Sequence, residues 1–129
     1  MNDTFYDPDH APDPCEWLDL DEQERIMLAK DYHTASRIKM PDVDVHASVH
    51  VVVENQIAEG FTPTCRAMDR LQKEGLVRHD AVHAVGSVVV KIMHDTMHGT
   101  ITSAGDVQRE LGARLDALSA ASWLQNGDD

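Results

Sequence analysis

Apolar positions along this chain recur three and four residues apart, and glycine or proline interrupts them at intervals that suit helices of three to five turns. The first such stretch opens near Asp19 to Asp21, where Asp21 followed by Glu24 has capping-box spacing. It runs through Ile26, Met27, Leu28, Ala29 and Tyr32 toward Ser36. Arg37 to Pro41 is a connection, since a residue before proline resists helix. A second helix is predicted over about Asp42 to Glu59, with Gly60 as its stop. Its valines also suit a strand, but its length, four-residue spacing and glycine stop decide for helix. Thr62-Pro63 then caps and opens a third, Pro63 to Glu74, ended by Gly75. A fourth runs from Arg78 or His79 to His98 with Gly99 behind it, and a fifth, capped by Ser103 with Asp106, spans Ala104 to Leu124.

Short connections between amphipathic helices favour a bundle. The expected fold is all-α: a compact bundle of about five helices forming one domain over residues 17–125. A disordered or loosely docked acidic leader, residues 1–16, precedes it, and a frayed tail, residues 126–129, follows. The leader carries Asp3, Asp7, Asp9, Asp13 and Glu16 with three prolines and no basic residue, and Trp17 and Leu18 are placed to anchor its end.

The anomaly lies inside the apolar faces. Successive helical residues turn by about 100°, so residues four apart differ by about 40° and stand one turn above each other. In the second helix His46, His50 and Glu54 share one stripe with Ile57, while Asp44, Ser48 and Asn55 point the other way. In the fourth, His79 and His83 share a stripe with Val90 and Met97, and Gly86 on that face lets another helix come close. Buried imidazoles are costly unless each nitrogen finds a partner. Two apolar faces, each with histidines at ligand spacing, point to a shared metal ion held by His46, His50, His79 and His83. His33, seven residues after Ile26, is the leading further ligand. Glu54 stands about 12 Å along the axis from His46, too far to share its ion. Beside His50 it can bind a second ion, support a ring N–H, or accept a proton. A ligand set dominated by imidazole favours zinc, iron, nickel or copper over magnesium or calcium.

Charge narrows the partners. The formal net charge of −12 argues against nucleic acid and against anionic lipid. No apolar run reaches membrane-spanning length, and no basic segment followed by an apolar run marks a signal peptide. Cys15 and Cys65 form neither a disulfide framework nor a metal pair, as expected of reduced thiols in a cytoplasmic protein. A homodimer is the default expectation for a short helical chain, and any small-molecule substrate is unspecified.

Two rival readings compete. His50 or His46, then His79-Asp80, then Asp95 or Asp106 follow the order of the metal-dependent phosphohydrolases named for a His-Asp doublet. Asp80, however, projects about 100° from His79, and the chain is short for that fold. In the other, the histidines, Glu54 and Asp80 form a hydrogen-bonded seam in a metal-free interaction module. His94 and His98 make a third pair at the boundary.

The combined pattern of Trp17-Leu-x-Leu-Asp-Glu-x-Glu-Arg-Ile26, Tyr32-His33, His46-x3-His50-x3-Glu54-Asn-Gln56 and Arg78-His-Asp-Ala-Val-His83-Ala-Val-Gly-Ser87 resembles a family of short bacterial helical proteins to which no activity is assigned. The resemblance covers about Trp17 to Met97. It implies a small cytoplasmic helical protein whose matched histidines and Glu54 form its site.

Overall fold

The computed structural model describes residues 5–35 and 43–126, and the side chains of 5–32 and 44–124. Within them the fold is all-α, with no strand, and its seven helices pack compactly. They are α1 (Pro14–Asp19), α2 (Glu22–Ala35), α3 (Val43–Ala58), α4 (Thr62–Lys73), α5 (Arg78–Met97), α6 (Ala104–Ala117) and α7 (Ala120–Asn126). The expected connection over Arg37 to Pro41 and the expected fraying of 127–129 lie outside the described residues.

Local chemistry sets most boundaries. Asp21 and Glu24 form the reciprocal cap of α2: the Gln23 N–H donates to Asp21 Oδ1, and the Asp21 N–H to Glu24 Oε1. Gly60 and Gly75 end α3 and α4 with φ of 74° and 112°, backbone that L side chains rarely adopt. Ser103 caps α6 by accepting from the Asp106 N–H at 3.1 Å. The predicted fifth helix is two helices. Leu118 leaves helical backbone at ψ 136°, and Ser119 starts α7 by exchanging hydrogen bonds with Ser122: each hydroxyl accepts the other's backbone N–H. The Ser119-x-x-Ser122 spacing is the start signal that the run of leucines concealed.

The leader docks through Tyr6. Tyr6 and Trp17 are buried, and Asp13 caps the short α1 by accepting from the Glu16 N–H. The Trp17 indole N–H donates to Asn55 Oδ1 on α3, and Arg25 of α2 donates to that same oxygen. Leu18, the other expected anchor, is exposed.

α3 is the helix around which two apolar clusters form. On one flank Ala47 and Val51 pack with Tyr6, Trp17 and Ala29 from the leader, α1 and α2. On the other, Val53 joins Leu71, Val82, Val85, Leu111 and Leu115 from α4, α5 and α6. The stripe His46, His50, Glu54 runs between these flanks. α3 approaches α5 at Gly86, where an added Cβ would stand 2.8 Å from Val49 Cγ1. A Val side chain in a helix has essentially one χ1 setting and cannot swing aside cheaply. Gly86→Leu is therefore expected to push α3 and α5 apart and to cost about 1–3 kcal/mol in chemical denaturation. A denaturation midpoint equal to wild type would show that the two helices are not in close contact there.

Candidate metal centre

α3 and α5 run antiparallel along the polar stripe, so His46 meets His83 while Glu54 meets Arg78 at the start of α5. The imidazoles converge through their Nε2 atoms. His83 Nε2 lies 3.0 Å from His46 Nε2, 3.0 Å from His50 Nε2 and 3.1 Å from His79 Nε2. His46, His50 and His83 each offer one nitrogen, and the three nitrogens fall within 4.8 Å of one another, a group that could hold a metal ion. His50 is buried, at 2% exposure, while His46, His79 and His83 are half-buried, so the cluster has one side toward solvent.

Behind the imidazoles lies a chain of hydrogen bonds. Tyr6 of the leader places its hydroxyl 3.0 Å from His50 Nδ1 and donates to Glu54 Oε2 at 2.6 Å. Arg78 holds both oxygens of that carboxylate, at 2.8 and 2.7 Å, and also donates to the Pro8 carbonyl at 2.8 Å. Burial pulls the Arg78 guanidinium down, but the hydrogen bond and charge of Glu54 more than restore it, leaving its pKa above the ordinary value. Burial first, then the Glu54 charge and hydrogen bond, push the Tyr6 phenol far up, so it remains a donor throughout the range where proteins fold. Asp9 completes the link between leader and site by accepting from the His79 N–H at 3.1 Å. α5 has no side-chain cap of its own, so the leader caps it from a distance. Tyr32 of α2 stands 3.5 Å from His79 Nδ1. Tyr6 also lines an open groove of about 770 Å³ with Phe5, Asp7, Trp17 and Leu28.

Four sequence candidates thus come together: His46, His50, His79 and His83. Glu54 is 1% exposed and serves behind His50, through Tyr6, with both its oxygens taken by Tyr6 and Arg78. His33 falls in α2, and its side chain lies outside the described ones. Asp80 acts on the cluster through its charge on His79, and Asp95 is paired with Arg114 on α6 at 2.9 Å. That guanidinium, through its hydrogen bond, holds the Asp95 carboxyl below its ordinary value. His94 and His98 stack at 4.1 Å between ring centres on the exposed end of α5. Sequence reasoning missed Tyr6, Arg78 and Asp9. Arg78 could have been found as the cation beside the histidine pair that a buried Glu54 demands. Tyr6 sits in a stretch with no periodicity to mark it.

No family model, curated protein or solved structure matches this chain.

Two outcomes follow from this geometry. Arg78→Ala leaves the Glu54 carboxylate buried without its cation and should cost about 3–5 kcal/mol in urea denaturation. Glu54→Gln added to Arg78→Ala should recover part of that loss, and a double variant no more stable than the single would contradict a charge-based cost. The second concerns pH. Burial holds the His79 imidazole below its ordinary value, against the upward pull of Asp9, Asp80 and Asp7. The unfolded chain then binds the extra proton, so this contribution to stability is full above about pH 6.5 and lost as pH falls below it toward the lowered folded value. Chelator-treated protein should melt at lower temperature as pH drops through that window. His79→Gln should show a shallower dependence, and identical slopes for the two would remove His79 as the cause.

Proposed function

We propose that this protein binds one transition-metal ion between α3 and α5, through the Nε2 atoms of His46, His50 and His83 with His79 as fourth donor. One observation carries the reading: His83 Nε2 has three other imidazole nitrogens at hydrogen-bonding distance. An imidazole nitrogen bears either one proton or one lone pair, so it completes one good in-plane hydrogen bond, and not three. A cation at the centre resolves this, because every nitrogen then turns a lone pair inward. Nitrogens around a tetrahedral zinc at 2.0–2.1 Å stand about 3.4 Å apart, a few tenths of an ångström beyond the three distances from His83 Nε2. The carboxylate-backed chain behind His50 is the support that metal-bound histidines use.

An all-imidazole set is borderline in softness and suits zinc, iron or nickel. Four donors close the shell of a tetrahedral ion, which makes binding of the ion itself the function this set performs. An ion of higher coordination number would keep positions open to water or substrate on the half-buried side. The identity of the ion therefore decides whether the centre holds or also reacts.

Elemental analysis of protein purified without a histidine tag should find about one equivalent of transition metal per chain. His79→Ala combined with His83→Ala should abolish it, and chelation should lower the melting temperature of the wild type. No metal after reconstitution with zinc, iron and nickel, together with a melt unchanged by chelator, would leave the histidines as a metal-free hydrogen-bonded seam.

A further inference from the structure

The leader and the histidine cluster are joined by one hydroxyl whose single proton has two places to go. Tyr6 Oη is 2.6 Å from Glu54 Oε2 and 3.0 Å from His50 Nδ1. Arg78 grips both oxygens of Glu54, so that carboxylate is an ionised acceptor, and the shorter contact takes the Tyr6 proton. The Tyr6 oxygen then offers His50 only lone pairs. His50 Nδ1 must be the donor, which puts the ring proton on Nδ1 and leaves the Nε2 lone pair facing His83.

We propose that Tyr6 is a positioning residue of the metal centre: its hydroxyl, oriented by Glu54 and Arg78, holds His50 as the Nδ1–H tautomer with Nε2 ready to ligate. The inference rests on the metal reading above and extends it, because it makes the leader a component of the site. Pro8 and Asp9 tether the same segment to Arg78 and to the His79 N–H, so Tyr6 is delivered by a strap fixed on both of its next residues but one and two. Neither the tyrosine nor the strap touches the ligating nitrogens. Their effect passes through His50.

The tautomer can be read without any metal. In chelator-treated, ¹⁵N-labelled protein at a pH where His50 is neutral, its ring should show a protonated Nδ1 and a bare Nε2, with His50→Gln used to assign the signals. Tyr6→Phe keeps the buried ring and removes only the hydroxyl. It should shift His50 toward the Nε2–H tautomer and weaken zinc binding in competition with a chelating dye by about 10–100-fold, with the helical circular dichroism retained. A wild-type His50 protonated on Nε2 overturns the proposal whether or not the variant folds. So does a Tyr6→Phe protein that binds zinc as tightly as wild type. If His50 carries its proton on Nδ1 but the wild type takes up no zinc, iron or nickel, the metal reading fails and the tyrosine's hold on the His50 ring survives it.

Discussion

Glu54 and Arg78 meet where α3, α5 and the leader converge, and removing both charges from water is costly unless every oxygen and N–H finds a partner. The pair offsets that cost with groups from the leader and the two helices: the Tyr6 hydroxyl, the Pro8 carbonyl and the two-pronged Arg–Glu contact itself. Such an arrangement adds little net stability, since a well-packed apolar substitute would do as well or better. What it adds is uniqueness. The carboxylate can be satisfied only when α5 starts beside the last turns of α3 and when the leader crosses at Tyr6 to Pro8. The register that satisfies Glu54 is the register that brings four imidazoles together one and two turns away.

The two apolar clusters on either side explain how this polar stripe can exist. Val53, Leu71, Val85 and Leu115 on one flank, and Ala47, Val51, Trp17 and Ala29 on the other, bury enough apolar surface to support the bundle. The stripe between them is then free to serve chemistry at a cost the flanks offset. Gly86 contributes from the α5 side, because close approach of the two backbones is what shortens the distance between their histidines.

Much of the fold was legible because it is written in local signals. Capping at Asp21 and Ser103 and glycine stops at Gly60, Gly75 and Gly99 are short-range chemistry, and each boundary they mark appears in the structure. The break between α6 and α7 was hidden because Val107, Leu111, Leu115 and Leu118 continue one periodic stripe right up to it, and periodicity alone does not register a turn. The histidine stripes were legible for the same reason as the helices: four-residue spacing on an apolar face says both that the side chains point inward and that they point together. Repetition of the stripe suggests that α3 and α5 face each other across it, and the structure supplies the pairing. The leader was illegible as a functional element. Its proline and aspartate content gives no period, and the roles of Tyr6, Pro8 and Asp9 depend on contacts tens of residues away.

The dependence of the site on a segment so different from the bundle has a physical consequence. An imidazole ring on a helix has two tautomers of similar energy, and apolar walls do not choose between them; only a hydrogen-bond partner of known polarity does. A helical residue could supply one, but a group on α3 or α5 would have to come from the same crowded stripe that carries the histidines and Glu54. A strap crossing from outside can place its hydroxyl in line with the His50 ring and the Glu54 carboxylate without occupying a helical position. Its polarity is then set from behind by Arg78, which cannot lose its charge. In the proposed arrangement the donors therefore converge on the Glu54 carboxylate, Arg78 from one side and Tyr6 with the His50 Nδ1–H behind it from the other, which leaves the His50 Nε2 lone pair facing the cluster.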